Sequence, residues 1–227
     1  MSRLFKHSTQ NELLTDVFWI GGSPCSGKST IAELLTVKYT FTYYNCDEAY
    51  SSHVSRCRPE LQPIMTKVKQ LSLDELFSRP VDQQVIETIQ FYQEEFEFIR
   101  EDVKSLSSSQ PILVEGAALL PHLVAPFLGT TNQGIWIIPT PSFQKEKYSK
   151  RDWIQSILEQ CRNPTQSFEN WMDRDIAFAQ CIHQEAADQG LKVMVTDGGT
   201  TIEENAALVE AHFQLKGGPE HEEIDHY

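Results

Sequence analysis

A glycine-rich turn near the N-terminus constrains the fold of this chain more than any other feature. Residues 21–30 read GGSPCSGKST and contain the spacing G-x-x-x-x-G-K-[ST] from Gly22 to Ser29. The short apolar segment 16–20 precedes this turn, and apolar residues at helical spacing follow it over 31–39. A strand, a glycine loop and a helix in this order form the context in which this spacing binds phosphate.

The residue types in this turn suit the binding of a nucleotide phosphate. Glycine at positions 22 and 27 permits backbone angles and a close approach that a Cβ atom would obstruct. Main-chain N–H groups and the start of the following helix then face one concavity. Lys28 supplies a positive charge for the β- and γ-phosphates, and the Ser29 hydroxyl is the expected ligand for Mg²⁺. The predicted phosphate-binding residues are Gly22, Ser23, Pro24, Cys25, Ser26, Gly27, Lys28, Ser29 and Thr30. A thiol reagent that modifies Cys25 is therefore expected to block this site.

Strand-like and helix-like segments alternate along the rest of the chain. Further strands are predicted at 41–46, 112–114, 134–138 and 191–195, and helices at 64–71, 72–77, 81–106, 169–189 and 201–213. This alternation favours an α/β protein in which a five-stranded parallel sheet lies between two layers of helices. We expect a single domain over 1–216, followed by a flexible acidic tail at 217–227.

The charge and cysteine content of the chain narrow its partners and surroundings. The 32 acidic residues exceed the 19 lysines and arginines, which gives a formal net charge of −13. Because basic surfaces attract polyanions, this balance argues against a nucleic-acid partner, although a nucleotide needs only a local positive field. The five cysteines have no paired spacing, and no apolar run has membrane-spanning length. These features favour a cytoplasmic protein with free thiols and no membrane partner.

Two acidic residues directly follow predicted strands. Ligands of open α/β sheets bind at the carboxyl ends of the strands, where Asp47 and Glu115 both fall. Phosphoryl transfer requires a carboxylate near Mg²⁺ and another near the acceptor hydroxyl. We assign Glu115 to the metal together with Ser29, and Asp47 to the acceptor as a general base or orienting group. The alternatives are a helix N-cap role for Asp47 and a surface position for Glu115.

Three segments together resemble a known superfamily. GSPCSGKST (22–30), NCDEAY (45–50) and ILVEG (112–116) are similar to the P-loop kinases of small molecules, which include shikimate, gluconate, uridine, 2-phosphoglycerate and nucleotide kinases. In that superfamily an aspartate after the second strand contacts the acceptor hydroxyl, which matches Asp47. An acidic residue followed by glycine after the third strand matches Glu115. The resemblance covers residues 17–213 and implies a P-loop NTPase fold, while the acceptor region matches no single member.

The resemblance also implies an acceptor-binding insertion and a mobile lid. The insertion, which is helical, would occupy 48–110, and the lid would occupy 141–168. Within the insertion and its surroundings, the candidate substrate-binding residues are Asp47, Tyr50, His53, Arg56, Arg79, Arg100 and Glu115. Arg162 in the lid and Arg174 on the following helix would contact the transferring phosphoryl group, and Arg151 is a further candidate. The adenine ring would lie near 196–199.

Together these features predict an enzyme that depends on ATP and Mg²⁺. It would move the γ-phosphoryl group of ATP to a hydroxyl or phosphate oxygen of a small metabolite or nucleotide, and it would act as a monomer or a homodimer. Its predicted catalytic residues are Lys28, Asp47, Arg162 and Arg174.

Two other functions share parts of this pattern. A 5′-hydroxyl polynucleotide kinase has a similar P-loop and following aspartate, but the acidic charge of this chain disfavours it. Retention on single-stranded DNA at moderate salt would support that function. A nucleotide-binding switch that hydrolyses nucleoside triphosphates slowly would lack an acceptor pocket, and metabolites would not alter its consumption of ATP.

Overall fold

A five-stranded parallel sheet forms the centre of the protein, in the spatial order β2-β3-β1-β4-β5. The computed structural model describes residues 14, 16–106 and 109–216. The strands are β1 (Val17–Gly22), β2 (Thr42–Asn45), β3 (Ile112–Glu115), β4 (Gly134–Pro139) and β5 (Lys192–Thr196). The predicted tail at 217–227 lies outside the described residues, whereas all five predicted strands form.

Helices connect the strands and cover both faces of the sheet. They are α1 (Lys28–Tyr39), α2 (Cys46–Arg56), α3 (Pro63–Val68), α4 (Leu73–Ser78), α5 (Val81–Ser105), α6 (Pro121–Val124), α7 (Pro141–Ser149), α8 (Asp152–Leu158), α9 (Pro164–Asp188) and α10 (Ile202–Phe213). Single 3₁₀ turns lie at Ala125–Phe127 and Thr131–Gln133. Among the residues described, no helix combines the length and the apolar character that crossing a membrane requires.

Alternate residues of the central strands are buried in two separate cores. On one face, Trp19 of β1 packs in a cluster with Phe96 of α5 and Phe178 of α9. On the other face, Ile20 packs in a cluster with Leu35 of α1. Because helices cover both faces, the inner strands β1, β3 and β4 are buried along almost their whole length instead of alternating between buried and exposed residues. The predicted three-layer α/β/α fold is confirmed.

The start of α9 differs from the sequence prediction. The helix begins at Pro164, earlier than the predicted residue 169, because Asn163 caps it by accepting a hydrogen bond from the backbone N–H of Gln166 at 3.2 Å. Proline at the first helical position needs no N–H partner and has a backbone angle that suits a helix. The last part of the predicted lid segment is therefore the first turn of α9.

Candidate active site

The glycine-rich turn joins β1 to α1 at the carboxyl edge of the sheet. Gly22 has a φ of +128°, and a Cβ atom there would lie 2.0 Å from the carbonyl oxygen of Ile137 in β4. Gly27, directly before α1, has a φ of +88°. Both positions have a positive φ, which glycine adopts without strain. Gly22 also lets the backbone of β4 approach closely. The first N–H groups of α1 have no partner within the helix and are free for a ligand.

Lys28 and Glu115 form a buried ion pair beneath this turn. The Nζ atom of Lys28 lies 3.5 Å from Oε1 of Glu115 and donates a hydrogen bond to the carbonyl oxygen of Ser23 at 3.3 Å. Glu115 is completely buried, so the alternative of a surface acid is excluded. Tyr43 donates its hydroxyl to Oε2 of Glu115 at 3.3 Å. Burial, together with the nearby charge of Glu115, raises the pKa of Tyr43, which keeps this donor protonated.

The residues proposed to hold Mg²⁺ have the chemistry that this ion requires. Mg²⁺ takes oxygen ligands, and in phosphate sites one or two carboxylates suffice because phosphate oxygens supply the rest. Oε1 of Glu115 is buried and accepts no hydrogen bond, and Ser29 lies half-buried in the first turn of α1. Across residues 14, 16–106 and 109–216, no group of three or more His, Cys, Asp or Glu side chains is arranged to hold a metal. Ser29 and Glu115 thus fit the ion, and their assignment to it stays a prediction.

Asp47 lies in the first turn of α2, next to the carboxyl end of β3. Asn45 and Glu115 are register partners of β2 and β3, and a Cβ atom on Gly116 would lie 2.5 Å from Cβ of Cys46. The two strands therefore place the start of α2, which carries Asp47, next to Glu115 at the end of β3. Asn45 is the N-cap of α2, since its side chain accepts hydrogen bonds from the N–H groups of Asp47 at 2.9 Å and Glu48 at 3.3 Å. The N-cap alternative for Asp47 is therefore not supported, and its exposed carboxylate is available to a ligand.

One cavity opens onto the turn itself, and we refer to it as the P-loop cavity. It has a volume of about 560 Å³. Its walls come from the P-loop, from α7 and the residue before α8, and from the segment after β5 that the sequence predicts to hold adenine. The residues that line it include Cys25, Gly27, Phe143, Lys147, Arg151 and Asp197. Thr196 Oγ1 donates a hydrogen bond to the carbonyl oxygen of Ser26 at 3.3 Å, which joins the segment after β5 to the P-loop.

A second cavity lies between α2, α4, α5 and α9, and we refer to it as the α5 cavity. It has a volume of about 270 Å³ and lies within the predicted acceptor-binding insertion and the helix after the lid. Four of the residues predicted from the sequence line it: Asp47, Tyr50, Arg79 and Arg174. The structure thus brings together the predicted acceptor aspartate and two of the candidate arginines.

Three predicted substrate-binding residues lie outside the α5 cavity, and their assignment stays a prediction. His53 is completely buried behind the cavity, Arg56 lies 2.8 Å from Asp102 on the outside of α5, and Arg100 pairs with Glu97. Each has an acidic partner on α5. None of the three lines the α5 cavity.

Arg162, the arginine predicted to lie in the lid, is located away from the P-loop cavity. Arg162 has 93% of its side chain exposed, its Nε atom lies 3.4 Å from Asp74, and it does not line the P-loop cavity. Asn163 and Pro164 start α9, so Arg162 is confined to the turn that precedes this helix. Arg151, the further candidate, lines the P-loop cavity together with Lys147, which the sequence analysis did not single out. The basic residues near the P-loop thus come from α7 and the residue before α8.

Arg174 and its neighbour connect α9 to the P-loop. Nη2 of Arg174 lies 2.6 Å from Oδ1 of Asp175, and Tyr148 donates its hydroxyl to Oδ2 of Asp175 at 2.8 Å. The carbonyl oxygen of Asp175 accepts a hydrogen bond from Oγ of Ser23 at 3.5 Å, and Gln144 donates to the same Oγ at 3.2 Å. This network fixes the P-loop against α7 and α9, and it aligns Arg174 with the α5 cavity.

Sequence reasoning missed the face of α5 that lines the cavity. This face has polar and aromatic residues at helical spacing, namely Gln84, Glu87, Thr88, Phe91 and Glu95. Phe96, Ile99 and Val103 of α5 pack in one core cluster with Trp19 of the sheet. The second stripe of α5, which lines the cavity at spacings of three and four, was therefore the available signal. Glu95 is buried, and burial together with the charge of Asp47 raises its pKa, against the opposing hydrogen bond from His53.

Cys25 is less reactive than its position in the motif indicates. It adopts a φ of +65°, and only 9% of it is exposed. Burial raises the pKa of its thiol, although the charge of Arg151 opposes this shift. Because the thiolate is the nucleophile, thiol reagents should modify Cys25 slowly at neutral pH, and the exposed Cys181 on α9 is the more accessible target.

Comparisons with known proteins find likeness in structure only. No protein-family model matches the sequence, and no curated protein matches it. Shikimate kinase from Aquifex aeolicus vf5 is 17% identical over 87% of this chain and 96% of that chain, with a TM-score of 0.40. TT1252 from Thermus thermophilus is 14% identical over 91% of this chain and 100% of that chain, with a TM-score of 0.48. At these values the likenesses carry no argument about activity. The P-loop kinase-like fold that the motifs indicate is confirmed by the sheet, the layers and the turn between β1 and α1.

Proposed function

We propose that the protein is an ATP- and Mg²⁺-dependent kinase that phosphorylates a small molecule. One observation carries the proposal: the buried pair of Lys28 and Glu115 lies at a P-loop with two cavities nearby, and Asp47 lines the second of them. A phosphotransferase needs one site for the nucleotide and another for the acceptor, whereas a nucleotide-binding switch needs only the first.

The nucleotide would bind in the P-loop cavity. Its volume falls in the range of roughly 300–1,000 Å³ that is usual for sites of small ligands. The N–H groups of the P-loop and the ammonium group of Lys28 would bind the phosphates, while Ser29 and Glu115 would hold the metal. When bound, Mg²⁺ would neutralise negative charge on the β- and γ-phosphate oxygens.

The transfer step would use Asp47 as the proton acceptor. The hydroxyl oxygen of the acceptor forms a bond to the γ-phosphorus, and its proton passes to the Asp47 carboxylate. The bond between the γ-phosphorus and the bridging oxygen breaks, and its electron pair leaves with ADP. Arg151, which lines the P-loop cavity, would stabilise the negative charge that spreads over the transferring group. Arg174 is paired with Asp175 and would position the P-loop through the network that includes Ser23.

A screen of metabolites tests this function directly. The full chain is incubated with ATP, Mg²⁺ and a cell-free metabolite extract, and mass spectrometry identifies compounds that gain one phosphoryl group. We expect at least one new phosphorylated compound, and its formation should disappear when ATP is omitted. ATP binding without a product, together with an ADP release that no metabolite alters, would instead support a switch. Retention of the protein on single-stranded DNA would support a polynucleotide kinase.

Arg151 should contribute to turnover, whereas Arg162 should not. Because Arg151 lines the P-loop cavity, its replacement by alanine removes a positive charge near the transferring group, and we expect kcat to fall by about ten- to a hundredfold. Arg162→Ala is the matched control, since its side chain is almost fully exposed, and it should leave kcat unchanged. Steady-state kinetics measure kcat for both variants. A loss in Arg162→Ala with normal turnover in Arg151→Ala would return the lid role to Arg162.

A further inference from the structure

The arginines of the α5 cavity are already neutralised by carboxylates. Arg79 pairs with Glu87, which also binds Lys67 at 2.6 Å, and Arg174 pairs with Asp175 at 2.6 Å. A phosphorylated or carboxylated acceptor normally needs a guanidinium group that is free to form two parallel hydrogen bonds with it. Neither arginine is free in this way.

The carboxylates of the cavity are not neutralised in the same way. Asp47 and Glu95 both line it, and the charge of Asp47 acts on Glu95. Glu95 has one ion-pair partner, His53, whose Nδ1 atom lies 3.0 Å from Oε1. Within the described part of the chain, no lysine or arginine pairs with Asp47 or Glu95. The cavity thus presents two carboxyl groups to which hydroxyl or amino groups of a ligand can donate and, among its described lining residues, no lysine or arginine that is free of a carboxylate partner.

Aromatic rings form the apolar wall of the cavity. The rings of Tyr50 and Phe91 stack with centroids 6.0 Å apart and an interplanar angle of 23°, and Tyr92 lies next to them in the lining. Val68 and Leu76 extend the apolar surface. Aromatic and aliphatic side chains in a cavity that also contains two carboxyl groups suit a ring that has one apolar face and several hydroxyl groups at its edge.

From this arrangement we infer that the acceptor is a small polyhydroxyl ring compound without a phosphate or carboxylate group, either uncharged or positively charged. One hydroxyl lies at Asp47 and is phosphorylated, and a second hydroxyl or an amino group donates a hydrogen bond to Glu95. Glu95 is therefore the residue that determines specificity. The inference rests on the proposed kinase function and goes beyond it by excluding anionic acceptors, including nucleoside monophosphates.

Separation of the metabolite extract by charge tests the acceptor class. The extract is passed over an anion exchanger at neutral pH, and the flow-through and the retained fractions are incubated separately with the full chain, ATP and Mg²⁺. Phosphorylated products are expected from the flow-through. Products from the retained fraction alone would overturn the inference and leave the kinase function intact. No product from either fraction or from the whole extract would overturn the kinase function, and the inference with it.

Substitution of Glu95 tests its role in specificity. Glu95→Gln removes the negative charge and keeps the shape of the side chain, so the acceptor KM should rise about tenfold or more while the KM for ATP stays unchanged. Glu97→Gln is the matched control, because Glu97 lies on the same helix, is exposed and does not line the cavity. Glu95→Asp should recover part of the acceptor affinity. An unchanged acceptor KM in Glu95→Gln, or equal rises in the KM values for acceptor and ATP, would contradict the assignment.

Discussion

Replacement of Lys28 by methionine is expected to abolish ATP-dependent turnover and to weaken ATP binding. In the proposed function Lys28 is the cation that binds the β- and γ-phosphates, and a methionine of similar length cannot replace its charge. We expect kcat/KM to fall by about a thousandfold or more. Isothermal titration with ATP and a coupled assay for ADP measure the two effects.

A second variant separates this effect from a loss of folding. Lys28→Met leaves Glu115 buried without its partner, which can destabilise the fold by about 3–5 kcal/mol. The double variant Lys28→Met/Glu115→Gln removes both charges and should restore the melting temperature but not the activity. Normal heats of ATP binding in a folded Lys28→Met protein would contradict the role of the P-loop as the nucleotide site.

Replacement of Asp47 by asparagine is expected to separate nucleotide binding from phosphoryl transfer. Asparagine keeps the shape of the side chain but cannot accept the acceptor's proton, so kcat should fall by about 10²–10⁴-fold. The affinity for ATP should not change, because Asp47 lines the α5 cavity and not the P-loop cavity. Single-turnover kinetics with the acceptor, together with ATP titration, measure both quantities.

The structure provides a matched control for Asp47. Glu48 is its exposed neighbour in the first turn of α2 and does not line the α5 cavity. Both substitutions remove one negative charge from the start of the helix, which should reduce stability by a similar amount of about 0.3–1 kcal/mol. Glu48→Gln should therefore melt like Asp47→Asn and retain full activity. Normal transfer by Asp47→Asn would assign the proton acceptor to another group.

The nucleotide side of the site was predictable because its determinants are local. The spacing of two glycines, Lys28 and Ser29 specifies the turn between β1 and α1 within a short stretch of sequence. Asp47 and Glu115 were also predictable, although they are far apart in sequence, because parallel strands end at one edge of the sheet. The register of Asn45 in β2 with Glu115 in β3 places the start of α2, which carries Asp47, next to the end of β3.

The acceptor side was predictable only in part. Arg56, Arg100 and Arg162 have the residue type that the superfamily uses, but a residue type does not determine its partner. In the folded protein these arginines pair with Asp102, Glu97 and Asp74, respectively. Arg56 and Arg162 meet their partners only when α2 packs against α5 and the start of α9 packs against α4. Arg100 and Glu97 are three residues apart on α5, so this pair was available from the sequence.

The amino-acid sequence by itself determined the strand order along the chain, the P-loop and the two carboxylates that follow strands. Short-range backbone preferences and the two periodicities of apolar residues are sufficient for these features. Only the tertiary structure decided which face of α5 meets α2 and α9, and hence that Glu95 shares a cavity with Asp47 while Arg79 and Arg174 are neutralised there. The physical reason is that the charge of the cavity is the sum over side chains from α2, α5, α9 and the segment between α4 and α5, and these elements share one space only once they are packed.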